Sequence, residues 1–165
     1  MTAGDLPSVL AWRNSDHVRQ FMYTKHEISA DEHQAWFNRR TMDPDWYLLI
    51  FEDRGVPSGY VSFHRKSGQE AAEWGFYTAP SAEKGTGQRL GIAALDCGLG
   101  TMNFAKICGE ALASNASSVK FHEKMGFQCE KLLVGAHFDG SSHCDVLCFE
   151  ISAAEWQEAR ARLLK

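Results

Sequence analysis

The feature that most constrains this chain is a glycine-rich turn, residues 84–89, with the sequence Lys-Gly-Thr-Gly-Gln-Arg. It separates an apolar, strand-like segment at 71–78 from a segment at 87–102 whose apolar side chains recur at helical spacing. Closely spaced glycines let backbone N–H groups turn toward one point, where a helix N-terminus adds partial positive charge. The turn therefore predicts a cradle for a diphosphate. It has neither the Gly-Lys-Ser/Thr ending of a P-loop nor the Gly-x-Gly-x-x-Gly order of a Rossmann turn.

The periodicity on either side of this turn predicts an α/β fold. The first third of the chain is helical, and capping boxes at Ser29 and Ser152 mark the starts of two helices. Strand-like runs at 46–52, 59–65 and 71–78 predict an antiparallel meander. We further expect a helix at 87–102, a strand at 106–113, a helix at 117–125, strands at 127–134 and 144–151, and a terminal helix. This order predicts an α/β sandwich around one mixed sheet.

Length and charge narrow the class of protein. The 165 residues fit a single domain spanning 1–165. A net charge of −4 argues against a general nucleic-acid binder or a protein of anionic membrane surfaces. No run approaches the ~18 apolar residues of a membrane span, and no signal peptide is evident, so we expect a cytoplasmic protein. The five cysteines lack CxxC spacing, which favours neither a disulfide framework nor a zinc site.

A second motif, residues 115–127, begins with Asn115, continues through an aromatic-rich helix and ends in Gly-Phe. Together the two motifs resemble those of the GNAT superfamily of acyl-CoA N-acyltransferases. The turn departs from the family pattern at both ends, with Lys84 in place of Arg or Gln and Arg89 in place of a small residue. The resemblance implies a three-layer sandwich around a mixed, mostly antiparallel sheet with a central splayed strand pair. The family's usual first strand is missing before the first helix.

The same resemblance implies acetyl-CoA as cosubstrate and no metal. Backbone groups of residues 86–90 would hold the pyrophosphate, and those of 76–78 would pair with the pantetheine arm as if it were another strand. Asn115 would fix this arm, or would simply form a turn between strand and helix. The expected cofactor-binding residues are Phe76, Tyr77, Thr78, Lys84, Gly85, Thr86, Gly87, Gln88, Arg89, Leu90, Asn115, Ser118 and Phe121.

Two residues are candidates for proton transfer. Glu73 lies on the strand beside the expected arm, where a carboxylate can take a proton from an ammonium group directly or through water. It also fits a salt-bridged strand residue, and a water chain can replace a named base. His122 occupies the position where many GNAT enzymes keep a tyrosine that protonates the departing thiolate. A histidine there can act as an acid near neutral pH, or it can be a helix-surface residue.

The resemblance is narrower for one branch of the family. Segments at 11–14, 18–22, 28–37, 72–77, 140–146 and 155–156 are similar to the N-acetyltransferases of bacterial pseudaminic acid synthesis. These acetylate the 4-amino group of UDP-4-amino-4,6-dideoxy-N-acetyl-β-L-altrosamine. A UDP-linked amino sugar is therefore the expected acceptor, with Arg13 and Arg19 at its diphosphate and His33 and Trp36 at its uridine. The spacing of Trp36 also fits a core residue, and a homodimer is implied by the resemblance only.

Two other functions fit the same motifs. One is the acetylation of a protein N-terminus, because ribosomal-protein acetyltransferases share much of the motif set. The other is a non-catalytic module that binds acyl-CoA, which the short N-terminus, Arg89 and the missing tyrosine favour. The Trp and Arg pattern before residue 40 favours the sugar.

Overall fold

The computed structural model describes residues 1–66 and 69–165. A short 3₁₀ turn, Ala3–Asp5, precedes helices α1 (Leu6–Asn14), α2 (Asp16–Arg19) and α3 (Ala30–Thr41). Strands β1 (Trp46–Asp53), β2 (Val56–Arg65) and β3 (Ala71–Thr78) follow. The remaining elements are α4 (Thr86–Leu95), a π-helical continuation (Asp96–Thr101), β4 (Lys106–Leu112), α5 (Ala116–Met125), β5 (Gln128–Phe138), β6 (His143–Ser152) and α6 (Ala153–Leu163). Each predicted element is present, and the capping boxes at Ser29 and Ser152 are confirmed.

The six strands form one open sheet in the order β1-β2-β3-β4-β6-β5. Neighbouring strands are antiparallel except β3 and β4, which are parallel. This parallel pair is joined only from Ala71 with Lys106 to Glu73 with Cys108, and beyond these residues the two strands diverge. The expected mixed sheet with a splayed central pair is confirmed. The gap between the diverging strands determines where the site lies.

Helices cover both faces of the sheet, because successive side chains of a strand point to opposite faces. On one face, Tyr60 of β2 stacks on Tyr77 of β3 at 5.0 Å between ring centroids and meets Trp36 of α3 at 6.1 Å. On the other face, Trp74 of β3 packs near Phe121 of α5 at 6.2 Å. We call these the N-terminal face, which α1 to α3 cover, and the C-terminal face, which α4 to α6 cover.

The C-terminal face holds the main core, and a partly buried polar clamp fixes its last helix. Trp156 of α6 is 1% exposed and donates its indole N–H to Asp96 at 2.9 Å. Arg160 donates to the same carboxylate at 2.8 Å. Gly126 ends α5 with a φ of 94°, and a Cβ there would lie 2.5 Å from Ala159. These contacts tie α6 to the end of α4 and to α5.

The next features concern membrane-spanning helices, metal-binding groups and cysteines. None of the helices within residues 1–66 and 69–165 is long and apolar enough to cross a bilayer. Over the same ranges, no group of three or more His, Cys, Asp or Glu side chains is arranged to hold a metal ion. The five cysteines are free thiols.

The amino group of Met1 donates to the Leu48 carbonyl of the edge strand β1 at 2.9 Å, and no strand precedes α1 in the described chain.

Candidate active site

A cleft of about 680 Å³ passes through the gap where β3 and β4 diverge. Phe76, Asn115 and Phe121 line it from the C-terminal face, and Glu73 and Tyr23 line it from the N-terminal face. Because β3 and β4 pair only as far as Glu73, the following backbone of β3 has a free edge along the cleft. A molecule held along this edge from one face can meet a second molecule that enters from the other face.

The glycine-rich turn lies at one end of the cleft. Gly85 has a φ of 90° and turns the chain into α4. The N–H groups of Gln88 and Arg89 donate to the Gly85 carbonyl at 3.1 and 3.2 Å, and that of Thr86 donates to the Glu83 carbonyl just before the turn. Gly87 lines the cleft, and a Cβ there would meet nothing closer than 4.0 Å. Its N–H belongs to the first turn of α4 and has no acceptor in the part of the chain that the structure describes. Of the residues 86–90 that were expected to form the cradle, Gly87 is therefore the one whose N–H is available to a diphosphate in the cleft.

The Arg89 side chain binds Asp53 and does not line the cleft. Its guanidinium donates from Nε to both carboxylate oxygens of Asp53, at 3.1 Å each, and from Nη2 to the Thr86 hydroxyl at 2.9 Å. These bonds hold the pKa of Asp53 below its usual range. Because Asp53 ends β1, the ion pair fixes the first turn of α4 against the sheet. Arg89 thereby positions the glycine turn and leaves the cleft to backbone groups.

The predicted cofactor residues divide into two groups. Lys84, Gly85 and Gln88 are not among the residues that line the cleft. Leu90 is fully buried in the core, and the Thr86 hydroxyl accepts a hydrogen bond from Arg89. The structure therefore does not bring these side chains to the site. The expected residues that do line the cleft are Phe76, Tyr77, Thr78, Gly87, Asn115, Ser118 and Phe121.

Asn115 forms the expected turn between strand and helix, and its contact with the arm stays a prediction. Its side-chain oxygen accepts a hydrogen bond from the Ser118 N–H at 3.1 Å and so caps α5. It also lines the cleft opposite β3. The amide oxygen is occupied by the cap, whereas the amide NH₂ can donate to a bound molecule.

His122 lies in surroundings that do not suit the expected acid. Its side chain is buried, with a relative exposure of 1%. Nδ1 lies 2.8 Å from the Ser118 carbonyl, and Nε2 accepts from the Trp74 indole N–H at 3.3 Å. Burial lowers the pKa of His122 and so favours the neutral ring. In the tautomer that satisfies both contacts, the only ring proton is donated to a backbone carbonyl, and none is available to a thiolate.

Glu73 faces the cleft at the point where the two central strands meet, as expected for a base. Its carboxylate is 2.7 Å from Lys66 Nζ and 3.9 Å from His64 Nδ1. Two cationic or potentially cationic groups therefore compete with an incoming ammonium group for this carboxylate. This environment agrees with the salt-bridged alternative as well as with a role in proton transfer.

A second carboxylate faces the cleft from the opposite wall, and the sequence analysis missed it. Glu110 of β4 accepts a hydrogen bond from the Tyr23 hydroxyl at 2.8 Å. Within the described ranges it forms no ion pair, unlike Glu73. Burial, followed by this hydrogen bond, raises the pKa of Tyr23, so the phenol stays protonated and donates. A charged residue within the apolar strand β4 was the available signal, but pairing it with Tyr23 needs the tertiary fold.

The part of the cleft that opens on the N-terminal face is acidic. Four glutamates line it, against one lysine among the described lining residues. Glu150 is paired with Lys106 at 2.7 Å, whereas Glu110 and Glu130 form no ion pair in the described chain. The lining glutamates are Glu73, Glu110, Glu130 and Glu150.

The four residues expected at a nucleotide sugar lie outside the cleft lining. Arg13 donates to the Thr24 carbonyl at 3.1 Å, and Arg19 pairs with Asp16 at 2.8 Å. His33 stacks on Trp36 at 5.0 Å, and Trp36 packs against the sheet. Trp36 is partly buried, which agrees with a packing role, and its contact with a nucleotide stays a prediction. Helical spacing could not show that these side chains face the sheet and their own loop rather than the cleft.

The structure thus combines a free strand edge and a glycine N–H at a helix start with carboxylates on the far side of a splayed sheet. The family model described as "Acetyltransferase (GNAT) domain" matches residues 1–128. The chain therefore belongs to the GNAT acetyltransferase family.

Two curated relatives match parts of the chain. Acetyltransferase PseH of Campylobacter jejuni is 31% identical over 91 residues, which make up 54% of this chain and 55% of that protein. An uncharacterised protein of Methanocaldococcus jannaschii is 25% identical over 142 residues, 79% of this chain and 28% of that protein. The chain thus spans only 28% to 55% of the length of these relatives.

Solved structures share the fold over nearly the whole chain. Spermidine N-acetyltransferase from Vibrio cholerae, in complex with CoA and spermine, has a TM-score of 0.85 at 23% identity over 95% of each chain. An N-acetyltransferase from Staphylococcus aureus has a TM-score of 0.72 at 23% identity, covering 93% of this chain and 95% of the other. At this level of identity the likeness shows the fold.

Proposed function

We propose that this protein transfers the acetyl group of acetyl-CoA to a primary amine on a small molecule. The observation that carries the proposal is the cleft between β3 and β4, which opens on both faces of the sheet. On the C-terminal face it offers Gly87 and the free edge of β3, and on the N-terminal face it offers carboxylates. Acetyl-CoA needs a diphosphate site and a strand edge. The amine needs groups that bind its ammonium form and remove a proton from it.

The residues present fit acetyl-CoA. A side chain at Gly87 would fill the space in front of the free N–H, where a phosphate gains from the helix N-terminus. Backbone groups of 76–78 would pair with the pantetheine arm, and the Asn115 amide would hold it from the opposite wall. When bound, acetyl-CoA supplies a thioester whose carbonyl carbon is open to attack and whose thiolate can leave.

The acceptor reacts by direct attack. An ammonium group first gives one proton to a carboxylate on the N-terminal face. Its nitrogen then forms a bond with the thioester carbon as the carbon–sulfur bond breaks, and the second proton goes to the departing thiolate. The products are an N-acetyl amine, CoA and one proton that returns to water. We assign the first transfer to Glu110, because Lys66 does not compete for it as it does for Glu73.

The Glu110→Gln variant is expected to lose at least ~100-fold in kcat/KM for the amine, because general-base catalysis contributes about that much. The KM for acetyl-CoA should stay near the wild-type value, since Glu110 faces the other end of the cleft. Glu73→Gln is the matched control, with the same change on the opposite wall. Steady-state kinetics with each substrate varied would measure both variants. A larger loss in Glu73→Gln would make Glu73 the base instead.

We propose a UDP-linked amino-dideoxy sugar of the pseudaminic acid pathway as the acceptor. The partial match to PseH supports it, together with the motif resemblance that runs through the chain. In this case the nucleotide would extend past the loop of Phe21, Met22 and Tyr23, which borders the N-terminal end of the cleft. A cationic amine is the second candidate, favoured by the four glutamates at that end.

A panel of acceptors tests these proposals through the release of free CoA from acetyl-CoA. The panel holds UDP-4-amino sugars, linear diamines and polyamines, and peptides with free N-termini. Turnover with a UDP-4-amino sugar at the highest kcat/KM is the expected result. Turnover only with polyamines would select the cationic acceptor, and turnover only with peptides would select N-terminal acetylation. Binding of acetyl-CoA without turnover on any amine would make the protein an acyl-CoA-binding module.

A further inference from the structure

Six aromatic rings pack where β3 and β4 begin to diverge, and we call them the aromatic cluster. Trp74 stacks on Phe127 at 5.0 Å, and His122 stacks on Phe149 at 4.7 Å with an interplanar angle of 10°. The cluster joins β3, α5, β6 and Phe127, which directly precedes β5. Its members are Trp74, Phe76, Phe121, His122, Phe127 and Phe149. All but Phe127 line the cleft.

A hydrogen-bonded chain fixes the two central members of this cluster. The Trp74 indole donates to His122 Nε2 at 3.3 Å, and His122 Nδ1 is 2.8 Å from the Ser118 carbonyl. His122 has both nitrogens occupied and is packed against Phe149 and Phe127, at 4.7 and 5.0 Å. Neither ring can rotate without leaving a buried polar group unpaired, which is unfavourable. The pair is therefore held in one arrangement.

The backbone of β4 lies directly against this pair. A Cβ at Gly109 would approach Trp74 Nε1 to 2.5 Å and His122 Nε2 to 2.7 Å. Only a glycine lets β4 pass this close to the two rings, because any other side chain would push them away. Trp74 follows the last paired residue of β3, and Gly109 follows the last paired residue of β4. The rings therefore lie between the two strands at the point of divergence.

We propose that Trp74 and His122 form the end wall of the acyl site and thereby restrict this enzyme to short acyl groups. The inference rests on the proposed function. A pantetheine arm that runs along β3 from Gly87 reaches the closed end of the gap at Trp74, where the acyl group must lie. There the acyl group meets the rings of Trp74 and His122, which are held in one arrangement, and the backbone of β4 at Gly109, which leaves no further space. His122 is in this view a specificity-determining wall residue and not the acid that protonates the thiolate.

The test compares acetyl-, propionyl- and butyryl-CoA as donors with one accepted amine. His122→Ala is expected to raise the kcat/KM of butyryl-CoA relative to acetyl-CoA by about tenfold or more, since one methylene is worth at least that factor in an apolar pocket. His122→Phe keeps a ring of similar size without the hydrogen bonds, so it should keep the preference for acetyl. Its pH–rate profile should have the shape of the wild-type profile.

Trp156→Phe is the control for stability. It also removes a buried indole donor, but Trp156 contacts Asp96 outside the cleft lining, so its acyl preference should stay that of the wild type. Should His122→Ala fail to fold, Trp74→Leu opens the same wall from β3 and carries the same expectation.

An unchanged donor preference in His122→Ala and Trp74→Leu would overturn the end-wall assignment. Loss of the alkaline limb of the pH–rate profile in His122→Phe would also overturn it and would restore His122 as the acid. Both outcomes require turnover by the wild-type enzyme. Failure of the wild type to acetylate any amine would instead remove the proposed function, so the two failures are distinguishable.

Discussion

Gly87→Glu is expected to abolish acetyl-CoA binding and leave the fold intact. The position faces the cleft, and a Cβ there meets nothing closer than 4.0 Å, so the folded chain accommodates the change. In the complex, however, the new carboxylate would stand where the pyrophosphate needs to lie. A like-charge contact of this kind costs several kcal/mol, which corresponds to a loss in affinity of at least ~100-fold.

Calorimetric titration with acetyl-CoA measures this effect, and the thermal unfolding midpoint reports on the fold. Gly100→Glu is the matched control, because it makes the same change of charge at a glycine whose Cβ would also have open space, outside the cleft lining. It should bind acetyl-CoA as the wild type does. Equal affinity of Gly87→Glu and wild type would mean that the diphosphate lies elsewhere on the protein.

Trp156→Ala has the largest expected effect on stability. Trp156 is 1% exposed, and its removal leaves a cavity between α6 and the sheet. Asp96 also loses one hydrogen-bond donor and keeps the one from Arg160. Truncation of a buried tryptophan costs about 3–5 kcal/mol. For a domain of this size that lowers the melting temperature by roughly 10 °C.

Denaturant unfolding of Trp156→Ala and Trp156→Phe separates the two contributions. Trp156→Phe fills most of the space and loses mainly the bond to Asp96, so its free energy of unfolding should fall by about 1–3 kcal/mol. If the two variants are equally stable, the packing of the indole contributes little and the clamp with Asp96 and Arg160 dominates.

Local sequence signals predicted the elements well because those signals act over short distances. The capping box at Ser29 starts α3, and Gly126 ends α5, as expected from the residues around each of them. The glycine turn at 84–89 is also a local signal, and it correctly predicts the entry into α4. The splay of β3 from β4 came from the family resemblance, since no residue pattern within either strand encodes it.

The contacts of individual side chains were harder to predict, because helical spacing does not show which face of a helix packs against the sheet and which faces the cleft. Arg13 and Trp36 look like ligands for a nucleotide, yet one donates to a nearby carbonyl and the other packs on Tyr60. Arg89 departs from the family pattern, and its pairing with Asp53, which is far away in sequence, could not be predicted from the turn alone. Glu110 was not predicted as a site residue, because its place in the cleft depends on a hydrogen bond with Tyr23, which is far away in sequence.

The opening of the cleft on two faces of the sheet has a consequence for the order of events. In the proposed function, acetyl-CoA enters along β3 from the C-terminal face and the amine enters from the N-terminal face, so neither substrate would block the path of the other. Both are then present together when the bond forms, so no acyl group needs to be stored on the protein between two half-reactions. Each product also has its own exit, and the departure of CoA does not have to wait for the release of the acetylated amine.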